Sequence, residues 1–313
     1  MKKFSFTLLV TLMALGSVQA DTISCDNFGS IPFFEDNDNS VILSCIQSAT
    51  DEDLKEKFLN GNNLPMNAVV AGVDAEVLNT ILSHYSKEDL EGVLTHQNFD
   101  ELGIIPLSIT SPNASRLILT LKTNGAELNV LKDKKERTTF EKLKKTQGIS
   151  ALHLAIEKKV PFEVVLSLLA HGINPNIKDK KGNVALNYAA AKGTTYDILQ
   201  LLLYFTKGVP KNDDGNTALH FAVQQNSNLD HINLFFKLTD KKFHKKTNEK
   251  DMTVLHSAAT FADNPAVLSA VMEYSEEFMC DEDSKGAKAI EYAKRNENLS
   301  GTEQLLKLQN WCK

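Results

Sequence analysis

An all-α solenoid, made of helix–turn–helix units stacked side by side and joined by hairpin turns, is the fold class that this 313-residue sequence predicts. Three observations carry the prediction. A nine-residue phrase recurs: Gly148-Ile149-Ser150-Ala151-Leu152-His153-Leu154-Ala155-Ile156, then Gly182-Asn183-Val184-Ala185-Leu186-Asn187-Tyr188-Ala189-Ala190, then Gly215-Asn216-Thr217-Ala218-Leu219-His220-Phe221-Ala222-Val223. Asp251-Met252-Thr253-Val254-Leu255-His256-Ser257-Ala258-Ala259 and the eroded Gly286-Ala287-Lys288-Ala289-Ile290-Glu291-Tyr292-Ala293 continue it. The third residues fall at 150, 184, 217, 253 and 288, at spacings of 34, 33, 36 and 35, and a fixed period in that range marks a repeat architecture. Each phrase is also followed by apolar residues at helical spacing, such as Val164, Val165, Leu168 and Leu169, or Ile198, Leu199, Leu201 and Leu202. Neither helix of such a pair can bury its apolar face alone, so stability has to come from stacking one unit on the next.

Within the phrase each position has a physical task. The glycine sits in the turn before the helix, where positive φ costs an L-residue most. Ser150, Thr217 and Thr253 stand where a hydroxyl can accept from the free N–H groups of a first helical turn. Leu152, Leu186, Leu219 and Leu255 point to the core, and the paired small residues Ala189-Ala190 and Ala258-Ala259 let helices approach closely. The phrase is similar, position by position, to the G-x-T-P-L-H-x-A-A core of the ankyrin repeat, and the chain resembles that family. Asn124-Gly125-Ala126-Glu127-Leu128-Asn129 and Gly172-Ile173-Asn174-Pro175-Asn176 match the family's repeat terminator. The family's proline survives only as Pro65 and Pro106. The resemblance implies structural hydrogen bonds for His153, His220 and His256, which a stack would place in a row rather than around one metal. His84, His96, His171, His231 and His244 are scattered without ligand spacing.

Taken from its start, the chain opens with a basic Met1-Lys2-Lys3, an apolar run from Phe4 to Leu15, and small residues at Val18 and Ala20. That pattern predicts a secretory signal peptide over 1–20, too short to span a bilayer. Cys25 lies beyond Asp21 and Thr22-Ile23-Ser24, so it does not stand where a lipoprotein cysteine would. A helical capping segment is expected over 21–63. Two degenerate repeats over 64–149 begin at Leu64-Pro65-Met66-Asn67-Ala68 and at Ile105-Pro106-Leu107-Ser108, with Gly103 in the turn. Regular repeats fill 150–287 and a capping repeat 288–313, seven in all. Two insertions break the period, at 83–104 and 131–147. Ser86-Lys87-Glu88-Asp89-Leu90 has the look of a capping box and predicts a short extra helix in the first. The second is a lysine-rich finger, helical around Phe140-Glu141-Lys142-Leu143, and a further basic finger is expected from Lys237 to Lys250.

The chain has 34 Lys and Arg against 40 Asp and Glu; without Lys2 and Lys3 the balance is 32 against 40, a net charge of −8. That argues against nonspecific nucleic-acid binding, which needs a broad basic surface. Four cysteines allow three pairings. A stack of seven repeats, with layers about 8–10 Å apart, would hold its ends far beyond the roughly 7 Å that a disulfide tolerates between Cα atoms. The resemblance therefore implies Cys25–Cys45 and Cys280–Cys312, staples at the two fraying ends that suit an exported protein. A redox-active pair would want a Cys-x-x-Cys spacing, which is absent.

In the family, partner contacts come from hairpin tips and from exposed positions of the first helix of each repeat. Carried over by motif, these are Lys180, Lys181, Asn183, Ala191 and Lys192, then Asp213, Asp214, Asn216, Gln224 and Gln225, then Glu249, Lys250, Met252, Thr260 and Phe261. The third repeat adds Thr146, Gln147, Ile149, Glu157 and Lys158. Phe261 and Met252 are apolar at positions usually exposed, so each is either an interface anchor or covered by a neighbouring finger. Lysine-rich fingers beside an acidic body are either solvated loops or a surface for an acidic partner. There is no Gly-x-Ser-x-Gly elbow, no phosphate loop and no His-Glu-x-x-His, so no catalytic, cofactor or metal residue is assigned. The expectation is an exported, monomeric, non-enzymatic scaffold that masks or tethers one envelope or toxin protein in the periplasm. The alternative is a secreted protein that binds host or neighbour-cell proteins.

Overall fold

The computed structural model describes residues 7–8, 23–55, 58–98, 103–128, 149–226 and 228–311. They fall into two units, one from Met1–Lys142 with Ala170–Ile173, the other from Leu143–Leu169 with Asn174–Lys313. Nearly all regular structure is helical; a two-residue ladder pairs Thr7–Leu8 with Ile23–Ser24.

In the first unit, α1 (Ile31–Asp36) and α2 (Asn39–Ser48) begin at Ser30 and Asp38, whose side-chain oxygens accept from backbone N–H groups of the first turn. α3 (Asp51–Lys55) follows. The Cys25–Cys45 disulfide, with Cα atoms 5.7 Å apart, ties the segment before α1 to α2. Next come α4 (Leu64–Ala71), α5 (Ala75–Ser83), α6 (Lys87–Leu94), α7 (Ile104–Ser108) and α8 (Ala114–Thr123). First helices α1, α4 and α7 pack in one row and α2, α5 and α8 in another. Buried Asn67 locks the first row: its Nδ2 donates to the Gly29 carbonyl at 2.9 Å, and its Oδ1 accepts from Asn62 Nδ2 at 2.9 Å.

The registers of these two repeats differ from the sequence reading. The cap of α4 is Asn63, not Leu64, because only the carboxamide can accept from the Met66 N–H, which it does at 3.1 Å. The cap of α7 is Gly103 at φ −84°, not Ile105, so this glycine is no positive-φ turn residue; its carbonyl accepts from the Leu107 N–H at 3.3 Å. α6, capped by the Ser86 hydroxyl on the Asp89 N–H at 3.1 Å, is the extra helix of the first insertion. The finger at 131–147, with Thr146 and Gln147, lies outside the described residues.

The second unit holds α9 (Ala151–Glu157), α10 (Phe162–Ala170), α11 (Ala185–Lys192), α12 (Tyr196–Phe205), α13 (Ala218–Phe221), α14 (Leu229–Leu238), α15 (Lys241–His244), α16 (Val254–Phe261), α17 (Pro265–Glu273), α18 (Ala289–Ala293) and α19 (Glu303–Trp311). First helices α9, α11, α13, α16 and α18 pack in sequence, and α12, α14, α17 and α19 form the row behind. Between them Leu152, Ala189, Leu199, Ala222, Ile232, Leu255, Ala258 and Leu268 are buried. The caps are Ser150, Val184, Thr217, Thr253 and Lys288. α13 passes into a π-helical stretch, Ala222–Asn226, which nothing in its sequence announced. The basic finger expected from Lys237 to Lys250 is mostly not a loop: Lys237 is in the last turn of α14 and Lys241–His244 form α15, so the hairpin begins only beyond Lys246. α15 is held by His244, which is buried against Phe236 and Tyr274 and hydrogen-bonded to Thr239. Cys280 is disulfide-bonded; Cys312 lies outside the described residues.

Candidate binding face

The hairpins that join the repeats of the second unit are built alike. Five residues before each cap stands an Asp or Asn: Asp179, Asn212, Asn248 and Asp283. The Oδ1 of each accepts two backbone N–H groups, from Lys181 and Asn183, Asp214 and Asn216, Lys250 and Met252, and Lys285 and Ala287, at 2.8–3.1 Å. Such a side chain replaces a backbone acceptor and closes the turn. The following residue at positive φ is Gly182, Gly215 or Gly286, and in the sixth repeat Asp251 at φ 55°. At Gly215 a Cβ would meet the Glu249 N at 2.6 Å, so the glycine also allows the next hairpin to approach. The hairpins are then bonded to one another backbone to backbone: Asp213 N–H to Lys181 O at 2.9 Å, Glu249 N–H to Asp214 O at 2.9 Å, and Ser284 N–H to Lys250 O at 3.0 Å. Two lysines follow the same path, Lys178 Nζ to the Lys211 carbonyl at 2.8 Å and Lys211 Nζ to the Thr247 carbonyl at 2.5 Å.

A second set of bonds runs through the histidines. The Thr217 N–H and hydroxyl both face His220 Nδ1, at 3.3 and 2.8 Å. Nδ1 therefore accepts, the proton sits on Nε2, and Nε2 donates to the Met252 carbonyl of the next repeat at 3.2 Å. Ser150–His153–Asn183 and Thr253–His256–Ala287 repeat the pattern. Burial lowers the His220 pKa to about 4, only partly offset by the Met252 carbonyl, and lowers those of His153 and His256 as well. In the fourth repeat Asn187 takes the histidine's place: its Oδ1 accepts from the Val184 N–H at 3.2 Å, but its buried Nδ2 reaches no partner. Where the hairpin residue is Asp, the seventh residue of the phrase that follows is Tyr, and its hydroxyl donates to the second carboxylate oxygen: Tyr188 to Asp179 at 2.8 Å, Tyr292 to Asp283. Where it is Asn, the tyrosine gives way to Phe221 or Ser257. Burial would raise the carboxyl pKa of Asp179, but the donors from Asn183, Tyr188 and Lys181 together outweigh it and hold the group below its ordinary value.

Around this scaffold the residues carried over from the motif are exposed to different degrees. Lys180, Lys181, Asp213, Asp214, Glu249 and Lys250 are exposed at hairpin tips; Asn183, Asn216 and Met252 behind them are half-buried. Asn183 donates through Nδ2 to Asp179, and Asn216 Oδ1 accepts from Asn248 Nδ2 at 3.1 Å, so both serve the hairpins. On the helices, Lys192 pairs with Glu157 of the preceding repeat at 3.7 Å, and Gln224 Nε2 donates to Ser257 Oγ of the following one at 3.0 Å. Thr260 turns its hydroxyl to the His256 carbonyl at 2.7 Å. Gln225 is exposed, Ala191 and Ile149 are half-buried, and Lys158 is exposed. Phe261, at the end of α16, is 51% exposed, so no finger among the described residues covers it. Gln224 and Gln225 stand on the π-helical stretch of the fifth repeat.

Comparison with known proteins bears on this grammar. A family model described as ankyrin repeats (3 copies) matches residues 109–208 and 152–246. The structure is similar to the ankyrin repeat domain of Bcl-3 at a TM-score of 0.60 and 18% identity, over 80% of this chain and 99% of that one. The fold is the ankyrin-repeat solenoid. The ankyrin repeat domain of human ASB11 is similar at a TM-score of 0.55 and 17% identity, over 75% of this chain and 92% of that one. In sequence, 137 residues are 31% identical to the potassium channel AKT2/3 of Arabidopsis thaliana, covering 42% of this chain and only 16% of the channel. The complex of the predatory endopeptidase Bd0816 of Bdellovibrio bacteriovorus with immunity protein Bd3460 contains a chain similar at a TM-score of 0.49, a likeness too loose to bear on function. Among the described residues no cluster of His, Cys, Asp and Glu could hold a metal ion, and no helix is long and apolar enough to cross a membrane. The ankyrin hairpin residues Asp179, Asn212, Asn248 and Asp283 were not singled out in the sequence, although their fixed place before each cap was there to be read.

Proposed function

We propose that the chain is a non-enzymatic ankyrin scaffold that binds one specific protein through its hairpin tips and the ends of its first helices, and that it does so after export, masking or tethering an envelope or toxin protein in the periplasm. The observation that carries the binding reading is the hairpin ladder. Backbone, Asx side chains and the two lysines Lys178 and Lys211 hold the hairpins, which leaves Lys180, Lys181, Asp213, Asp214, Glu249 and Lys250 solvent-exposed on a fixed framework, with Phe261 half exposed at the far end of the first helix α16. An exposed aromatic at the end of a first helix is suited to be an interface anchor. Export rests on the basic, apolar and small-residue order of 1–20, and is consistent with the disulfide at Cys25–Cys45.

The test is co-purification from the native cell with the full chain. Phe261→Asp combined with Lys180→Glu and Lys181→Glu should lose the partner, while Leu166→Asp, at a 39% exposed position of α10, should keep it. An unchanged set of partners with the triple variant would refute this face. Fractionation tests the compartment: protein found in the medium, rather than in the periplasmic fraction, overturns periplasmic residence.

A further inference from the structure

A cavity of about 170 Å3 lies in the second unit between α12, α14, α15 and the start of α13. Its walls are mainly Leu186, Leu203, Leu219, Phe235, Leu238 and Phe243, and the segment Gly208-Val209-Pro210 closes one side. An apolar cavity of about 150 Å3 holds a benzene ring. Two features distinguish this one from a packing defect. Thr206, at the end of α12, lines it and carries a buried hydroxyl oxygen with no hydrogen-bond partner, a group that costs free energy until something bonds to it. The charged residue of the lining is Asp240; Lys207 follows the lining residue Thr206, and Lys241 and Lys242 lie in the chain between the lining residues Asp240 and Phe243, so three lysines against one carboxylate belong to the segments that form it. Lys242 is paired with Asp240 at 3.0 Å, whereas among the described residues Lys207 and Lys241 make no ion pair. The first turns of α11 and α13 contribute to this cavity, but none of the hairpin-tip residues and none of the C-terminal ends of the first helices named for the binding face above does.

We infer that this cavity is a ligand site for a single-ring aromatic or compact apolar group bearing a carboxylate. The ring fills the leucine and phenylalanine walls, the Thr206 hydroxyl meets a polar atom of the ligand, and the carboxylate lies at the rim between Lys207 and Lys241. Sites of this kind are mostly apolar with a few polar groups that fix orientation. The same chemistry is offered by a free aryl carboxylic acid and by the C-terminal aromatic residue of a peptide.

Calorimetric titration of the full chain with phenylacetate, benzyl alcohol and phenethylamine tests it. Phenylacetate should saturate with a Kd of about 1 mM or tighter, with the neutral and cationic probes roughly tenfold weaker. Lys207→Glu with Lys241→Glu should erase the preference for phenylacetate and leave benzyl alcohol unaffected. Thr206→Val, with an unchanged circular-dichroism spectrum, should weaken phenylacetate by roughly fivefold, and Leu203→Trp should exclude all three probes. N-acetylphenylalanine separates the sources: affinity equal to phenylacetate assigns a peptide end, and its loss assigns a free acid. No saturation by phenylacetate up to about 10 mM, phenethylamine binding as tightly, or phenylacetate binding unchanged by the lysine reversals would each overturn the inference.

Discussion

His220 Nε2 donates to the Met252 carbonyl at 3.2 Å, so an imidazole in one repeat holds the hairpin of the next. It is acceptance at Nδ1 from Thr217, together with burial, that requires the neutral ring; the Nε2–H bond to Met252 by itself favours the charged one and only partly offsets burial. The folded pKa of about 4 lies below the ordinary value of 6.5. Stability from this group is therefore fully present above pH 6.5 and is lost as the pH falls towards 4, by up to about 3 kcal/mol. Urea unfolding followed across that window should show the loss, with His153 and His256 adding to it in the same direction. His220→Asn should lower stability at neutral pH and flatten the profile. A profile as steep as that of the parent would show that the acid sensitivity arises elsewhere.

The fourth repeat lacks this link. Asn187 is too short to reach the carbonyl of Asn216, which stands where Asn183, Met252 and Ala287 stand in the other repeats, and its Nδ2 is left buried without a partner. Val184→Thr with Asn187→His restores both the cap and the bond. The double variant should gain about 1–2 kcal/mol, read as a higher midpoint in thermal or urea unfolding. No gain would mean that the site cannot seat the larger ring.

Asp179 and Tyr188 form a coupled pair, as the alternation of Asp with Tyr and of Asn with Phe or Ser along the chain implies. Tyr188→Phe should cost about 1–2 kcal/mol by leaving a carboxylate oxygen less satisfied. Asp179→Asn with Tyr188→Phe copies the Asn212 and Phe221 arrangement and should recover much of that. A double-mutant cycle measures the coupling; additivity of the two changes would show that the hydroxyl contributes nothing specific.

Gly215 and Asp251 occupy equivalent turns, at φ 76° and 55°. Gly215→Ala should destabilise by more than about 1 kcal/mol, from the left-handed backbone and from the collision with the Glu249 backbone N. Asp251→Gly relieves the same conformation and should stabilise by several tenths of a kcal/mol, roughly. Opposite signs in denaturation midpoints are expected.

What could be read from the residues depended on whether their role was local. A hydroxyl at Ser150, Thr217 or Thr253 acts on its own first turn, so those caps fell at the predicted positions, and so did Ser86. In the first two repeats the apolar run Leu64-Pro65-Met66 and the dipeptide Ile105-Pro106 fit the motif in more than one register, and the true caps lie one and two residues earlier. The helix α15 was hidden in a lysine-rich stretch because its cause, the burial of His244 against the stacked pair Phe236 and Tyr274, is tertiary. The same holds for the cavity at Thr206, whose walls come from segments far apart in the chain. Lys180 and Phe261 were placed on the surface by the motif alone, and both are exposed.

Because neighbouring hairpins are clasped by main-chain atoms at Lys181, Asp213, Asp214, Glu249, Lys250 and Ser284, the identity of the side chains at those tips is nearly irrelevant to folding. Such an arrangement separates inheritance of shape from inheritance of specificity. If the tips bind as proposed, substitutions there would retune which surface is recognised while the spacing between recognition points stays fixed, without first having to rescue the scaffold.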